Sequence, residues 1–151
     1  MSQPKPTAGE FVGREHLLPV RVYYEDTDFS GVVYHANYLR FFERGRSDFL
    51  RLASTGHAEL LDRDDPLAFV ATRVEIDFLK AARIDDALVV RTTFDRAKGP
   101  RLFVSQSIER GGEVICRARV DVAVVGLHGR ARRPPKALAE SLRPWLAPEQ
   151  A

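Results

Sequence analysis

Polar and apolar residues alternate along much of the chain, and this pattern indicates a protein rich in β-strands. Five runs with a period of two predict half-buried strands, and these runs begin at Leu18, Val70, Leu88, Leu102 and Val114. After the first run, residues 38–53 carry apolar side chains at helical spacing and predict one long amphipathic helix. A short helix is predicted over residues 136–142.

This order of elements predicts an α+β fold, in which one long central helix lies against a curved antiparallel sheet. Residues 1–15 contain Pro4, Pro6 and Gly9 without any periodicity, so we predict a flexible N-terminal arm there. A single domain is predicted over residues 16–146, followed by a tail over residues 147–151. The length of 151 residues is typical of one domain with a proper core.

The composition of the chain limits the classes of function that it can have. The chain is 44% hydrophobic and 29% charged, as in ordinary soluble globular proteins. The net charge of +2 gives no reason to expect a nucleic-acid partner. A single cysteine, Cys116, fits a reducing compartment, and its alternation with apolar neighbours predicts a core position. No apolar run has the length of a membrane helix, so we expect a cytoplasmic protein without membrane insertion.

The candidate chemistry lies between the first strand and the long helix. Residues 25–31 are rich in turn-forming side chains, including Asp26 and Asp28. Asn37 is predicted either as the N-cap of the helix or as a turn residue, and the first backbone N–H groups of a helix lack intrahelical partners. A carboxylate facing such donors suits hydrolysis of an activated carbonyl, because it attacks or activates water while the N–H groups hold the oxyanion. We therefore predict an enzyme acting on acyl thioesters.

The segment from Tyr24 through Asp28, Gly31, Val33, Tyr34 and His35 to Asn37 and Tyr38 resembles a known family motif. It is similar to the hotdog-fold acyl-CoA thioesterases of the 4-hydroxybenzoyl-CoA type, and most similar to their branch encoded with the Tol-Pal system, the YbgC-type proteins. Weaker similarity continues through residues 78–86, Ser105, Gln106 and residues 129–135. The resemblance covers roughly residues 17–142.

The resemblance implies a sheet wrapped around the helix and dimers or tetramers whose active sites lie at an interface. It implies that Asp28 carries catalysis and that the backbone N–H at His35 polarises the thioester carbonyl. Whether Asp28 adds to the carbonyl or deprotonates water stays open, as does a catalytic role for the His35 side chain. Asp26 is interpreted as a turn cap. The acyl group is not implied, and neither is the choice between coenzyme A and acyl carrier protein.

The predicted substrate-binding residues follow from the same motif and from the basic residues near the C-terminus. They are Tyr24, Gly31, Val33, Tyr34, Asn37, Glu43, Arg132 and Arg133. Glu43 has the alternative of a solvated residue paired with Arg40 or Arg46. Arg132 and Arg133 are chosen from several cations that could bind the phosphates of coenzyme A. No cofactor is expected besides the coenzyme A thioester as substrate, and no metal, because no cluster of Cys and His exists.

Two other functions remain open at this point. One is a non-catalytic module that binds acyl-CoA or an acyl carrier protein and is linked to the cell envelope. The other is a hotdog dehydratase in which His35 is the base, although a carboxylate in the turn, rather than along the helix, argues against it.

Overall fold

The computed structural model describes residues 2–148 and contains six strands and three α-helices. The strands are β1 Glu10–Val12, β2 Glu15–Arg21, β3 Leu67–Phe78, β4 Ala87–Lys98, β5 Arg101–Arg110 and β6 Glu113–Gly126. The helices are α1 Asn37–Ala53, α2 His57–Leu61 and α3 Lys136–Leu142. None of the helices in the described part of the chain has the length and apolar character needed to span a bilayer.

The six strands form one antiparallel sheet in the order β1-β2-β4-β5-β6-β3, and α1 packs across it. This is the predicted α+β hotdog arrangement. The alternation in β4 and β5 is confirmed, because the predicted inward residues of both strands are buried. The face of α1 that carries Phe41, Phe42 and Phe49 completes the core.

Strand β3 lies at one edge of the sheet. Among residues 2–148 it pairs only with β6, so its other side offers a 12-residue row of backbone groups without a neighbouring strand from this part of the chain. Val70, Val74 and Phe78 on this strand are all more than a third exposed. A long exposed edge with apolar side chains is a surface to which another strand can add.

The predicted flexible arm is wrong for residues 10–15. Residues Glu10–Val12 form β1, which pairs with β2 from Glu15 onward. Gly9 N–H donates to Asp48 Oδ2 on α1 (2.8 Å), and buried His16 bonds the same oxygen (2.7 Å). With three residues, β1 is too short for a periodic pattern to reveal it, and it is held by local pairing with β2 and by the bond from Gly9 to Asp48.

Two further boundaries differ from the prediction. The first strand ends at Arg21 instead of continuing to Tyr24, because residues Tyr24–Asp26 form a 3₁₀ turn. The polar connection after α1 contains α2, whose Leu60 is buried against the core. One buried leucine in a five-residue helix gives little periodic signal.

Candidate active site

The turn before α1 is built around Asp26. Asp26 is buried, and its carboxylate accepts the backbone N–H of Tyr23 at 2.8 Å. Its carbonyl accepts the Tyr34 N–H at 3.0 Å and the Asn37 side-chain amide at 2.7 Å. These bonds match the interpretation of Asp26 as a turn cap, and they fix the turn against the first turn of α1.

The prediction of Asn37 as the helix N-cap is wrong. The N-cap is Ala36, which has no capping side chain, and Asn37 is the first helical residue. Its amide points back to Asp26 and is buried, so it ties two segments together instead of accepting a helical N–H. The side chain of Asn37 is thereby engaged within the protein.

The missing cap leaves donors free at the start of α1. Within residues 2–148, the backbone N–H groups of His35 and Ala36 donate to no protein acceptor. The partial positive charge of the helix N-terminus adds to these donors. This is the arrangement expected of an oxyanion site, and it lies at the residue that the motif indicated.

Asp28 lies in a tight loop just before these donors. Its Oδ1 accepts the Ser30 N–H at 2.8 Å and the Ser30 hydroxyl at 2.5 Å, which lowers the pKa of the Asp28 carboxyl. Within the described residues, Oδ2 has no hydrogen-bond partner. Gly31 closes the loop with a φ of +82°, a conformation that favours glycine. The bonds to Oδ1 therefore favour the ionised form of Asp28 and leave its other oxygen, Oδ2, without a bond from the described residues.

The loop and the helix start face the end of β3. The ring of His35 lies 4.7 Å from that of Tyr34 and 6.3 Å from that of Phe78, between centroids. The Tyr38 ring lies 5.6 Å from Phe78 on its other side. Tyr34, His35 and Phe78 are exposed side chains at the place where the start of α1 meets the end of β3.

Two residues that were predicted to bind the substrate have surroundings that differ from this prediction. Val33 is buried in the core, where its backbone N–H donates to the carbonyl of Ala82, so its side chain is not exposed to a substrate. Tyr24 is 81% exposed and belongs to the 3₁₀ turn.

Glu43 lies beside two cavities along α1. One cavity has a volume of about 470 Å³ and also reaches Asp26, and the other has about 60 Å³ and lies between α1 and the sheet. The predicted alternative of a pair with Arg40 or Arg46 is not observed among the described residues. Instead, Glu43 Oε1 accepts the hydroxyl of Ser47 at 2.6 Å.

Sequence reasoning missed Ser47 and His57. The Ser47 hydroxyl lies 2.9 Å from His57 Nε2, so a chain of polar groups runs from α2 to Glu43. The spacing of four between Glu43 and Ser47 is a signal that could have found the serine. Only the tertiary fold brings His57 to it.

Arg132 lies far from the other predicted residues within one chain. It forms a two-bond pair with Asp65, and its backbone N–H donates to the carbonyl of Val124. The contact between β3 and the helix start lies at Phe78, opposite Cys116. Between Cys116 and Val124 the strand extends about 26 Å at roughly 3.3 Å per residue. The chain alone does not bring Arg132 to Asp28.

Arg133 is next to Arg132 and borders a separate cavity of about 290 Å³ near α3. That cavity is lined by residues of β4, β5 and the C-terminal segment, including Leu102 and Leu142. The two basic residues therefore lie at the end of the sheet opposite to the helix start.

Comparison with known proteins places this site in a family. The sequence profile of the Thioesterase-like superfamily matches residues 22–146, which include the turn, α1 and β3. The chain belongs to the Thioesterase-like superfamily.

Curated relatives of this superfamily member share much of its sequence. It is 46% identical over 110 residues to "Acyl-CoA thioesterase YbgC" of Haemophilus influenzae, covering 73% of this chain and 80% of that protein. It is 36% identical over 124 residues to "Acyl-CoA thioester hydrolase YbgC" of Escherichia coli O157:H7, covering 82% and 90%.

A solved structure agrees with the fold. The probable thioesterase from Bartonella henselae matches with a TM-score of 0.78 at 43% identity, covering 80% of this chain and 99% of that one. The hotdog fold expected from the motif is confirmed.

Proposed function

We propose that this protein hydrolyses acyl-CoA thioesters to a free carboxylic acid and coenzyme A, with Asp28 as nucleophile or general base. The observation that carries this proposal is the pair of unbonded N–H groups at His35 and Ala36, next to the loop that holds Asp28. Membership of the thioesterase-like superfamily supports the same reaction class. The chain is a thioester hydrolase, and its carrier is coenzyme A in this proposal, with acyl carrier protein as the alternative.

The chemistry needs few groups because a thioester is already activated. The leaving thiol has a pKa near 8.5, so it departs as thiolate without a strong acid. Negative charge develops on the carbonyl oxygen, where a backbone donor typically contributes roughly 2.7–4 kcal/mol to the transition state. One ionised carboxylate then suffices, either to attack the carbonyl carbon or to take a proton from water.

The test is thiol release by purified protein across acyl-CoA thioesters of different chain length and aromaticity. Asp28→Asn keeps the side-chain oxygen that bonds Ser30 and removes the charge, so we expect kcat to fall by at least about 100-fold. Asp64→Asn, at an exposed position in a loop, is the matched control and keeps the parent kcat. Parent activity in Asp28→Asn removes the assignment. Tight binding without thiol release in the parent favours an acyl-binding module.

We also propose a homodimer formed across β3. The free edge of β3 and its exposed valines support this arrangement. Antiparallel pairing of two β3 strands sets the Leu67 end of one copy beside the Phe78 end of the other. The Asp65–Arg132 pair lies just before that Leu67 end, so pairing would bring it toward the Phe78 end of the other copy, where α1 of that copy begins.

Hydrogen exchange tests the dimer when it is measured at protein concentrations above and below the dissociation constant of the dimer. Amides of β3 are expected to be protected only in the dimer, while amides of central β5 stay protected in both. A monomer at micromolar concentration with fast exchange along β3 contradicts the pairing. The double variant Arg132→Ala and Arg133→Ala is expected to raise KM for acyl-CoA while leaving kcat unchanged, and an unaltered KM removes both residues from substrate binding.

We further place the protein in the cytoplasm. The presence of a single, buried and unpaired cysteine supports a reducing compartment.

A further inference from the structure

Three polar side chains meet at the rim of the small cavity between α1 and the sheet. Ser47 Oγ lies 2.6 Å from Glu43 Oε1 and 2.9 Å from His57 Nε2. The rest of the cavity is mostly apolar, with Leu50, Phe69, Ala71, Phe94 and Val122 in its lining. An apolar cavity with a few convergent polar groups is typical of a functional site rather than of a solvated surface.

The number of protons available on the three side chains fixes the direction of these hydrogen bonds. A serine hydroxyl carries one proton, and an ionised carboxylate only accepts hydrogen bonds. The proton of Ser47 therefore goes to Glu43, and His57 must donate its Nε2–H to the serine oxygen. The chain of bonds runs from His57 through Ser47 to Glu43, and the second oxygen of Glu43 is not used in it.

The surroundings hold this chain in place. The Phe69 ring of β3 packs edge-on against His57, with 5.9 Å between centroids. Arg46 lines the same cavity and is anchored by a bond to Gln106 Oε1 at 3.0 Å. Burial lowers the pKa of the Arg46 guanidinium, and the negative charge of Glu43 opposes this effect, so the two charges act on each other across the cavity.

Glu43 lies on the same helix whose start carries the free N–H groups of the candidate active site. It borders the larger cavity together with Glu25 and Asp26 of the turn that leads into Asp28. Hydrolysis consumes one water by either route open to Asp28, and a carboxylate beside that turn can accept a hydrogen bond from it.

We propose that Glu43 holds the hydrolytic water through its free oxygen, and that Ser47 and His57 are positioning residues that orient the Glu43 carboxylate. This inference rests on the proposed thioesterase function and adds a second acidic group to it. Full turnover then requires a hydrogen-bond donor at position 57, because the orientation of the Glu43 carboxylate depends on both bonds of the chain.

Paired variants test the positioning role in thiol-release kinetics. Glu43→Gln and Ser47→Ala are expected to lower kcat roughly ten- to a hundredfold with little change in KM, since a misplaced group costs up to about 100-fold. Ser47→Thr keeps the hydroxyl and should restore most of kcat. His57→Gln, which retains an N–H donor, should stay near the parent kcat, whereas His57→Phe should match Ser47→Ala.

Glu59→Gln, on the exposed side of α2, is the control and should leave kcat and KM at parent values. Parent kcat in both Ser47→Ala and His57→Phe overturns the inference while Asp28→Asn still tests the function. A parent protein without any turnover contradicts the proposed function itself, and the water-holding role fails with it.

The tautomer of His57 gives a second measurement that needs no turnover. Nitrogen-15 chemical shifts of the histidine rings, assigned by comparison with His57→Gln, distinguish Nε2–H from Nδ1–H. We expect the Nε2–H tautomer in the parent at neutral pH and a loss of this preference in Ser47→Ala. The Nδ1–H tautomer in the parent would reverse the bond between His57 and Ser47 and overturn the proposed chain.

Discussion

Gly45 in the middle of α1 lies directly against the side-chain amide of Gln106 on β5. A Cβ at Gly45 would lie 3.1 Å from Gln106 Nε2 and only 2.8 Å from Val90 Cγ1. The amide has no room to move, because it donates to the Phe42 carbonyl and to Thr92 Oγ1, each at 2.9 Å. The missing side chain thus lets the helix approach the sheet and carry Glu43 and Ser47 to their positions.

Gly45→Ala is expected to destabilise the protein in spite of the better helix propensity of alanine. The propensity gain is about 1 kcal/mol, while forcing a methyl group into a packed contact typically costs about 1–3 kcal/mol. Urea unfolding should show a net loss of stability. Arg40→Ala, at an exposed position on the same helix, serves as the control and should change the free energy of unfolding by less than about 0.5 kcal/mol. A more stable Gly45→Ala would contradict the close packing.

The buried pair of His16 and Asp48 should make stability depend on pH. Burial lowers the pKa of His16 below its ordinary 6.5, although Asp48 opposes this effect. As the pH falls below about 6.5, the unfolded chain binds a proton that the folded chain does not, so the free energy of unfolding decreases. Urea unfolding between pH 7.5 and 5 should show this slope, and His16→Gln should lose it. An equal slope in His16→Gln would assign the effect to other groups.

Asp48 adds a second step at lower pH. Burial alone would raise its pKa, but bonds from Gly9, His16 and Arg51 outweigh that effect and hold the pKa below 3.8. The stability from this carboxylate is therefore present above about pH 4 and is lost as the pH falls through the folded pKa.

Ser30→Ala is expected to move the acidic limb of kcat/KM to higher pH. The Ser30 hydroxyl bond lowers the pKa of Asp28 below its ordinary 3.8, so the ionised form and the activity persist to a lower pH than an ordinary aspartate would allow. Removing the hydroxyl raises the pKa of Asp28, and activity is then lost at a higher pH. Ser107→Ala on β5, on the other side of the molecule from this loop, is the control. If the acidic limb of kcat/KM does not move in Ser30→Ala, the pH dependence of the activity does not come from Asp28.

The thiol of Cys116 should not react in the folded protein. The side chain is fully buried, and burial raises its pKa to about 12, so almost no thiolate exists at neutral pH. A chromogenic disulfide reagent should detect no thiol in the native protein and one thiol per chain after unfolding in urea. Fast reaction of the native protein would contradict the burial of Cys116, and it would also add a background to any thiol-release assay.

The candidate site shows where sequence reasoning succeeded and where it failed. The free N–H groups at the start of α1 follow from local chemistry, because turn-forming side chains and a helix start lie within eight positions of each other in the chain, whereas the catalytic role of Asp28 stays a prediction. The failure at Asn37 has a local cause as well. The side-chain amide of Asn37 donates to the Asp26 carbonyl. Sequence propensities do not say whether an asparagine will cap the helix or form such a bond across the preceding turn.

The pattern along the chain was enough to predict the order of β2 to β6, α1 and α3, the inward faces of β4 and β5, and the buried position of Cys116, because alternation and helical spacing follow directly from backbone geometry. Only the tertiary structure decided which strand is left at the sheet edge, that His57 reaches Ser47, and that Arg132 pairs with Asp65 far from Asp28. These relations join residues whose separation along the chain carries no periodic signal, and they exist only after strand pairing and helix packing have fixed where each element lies.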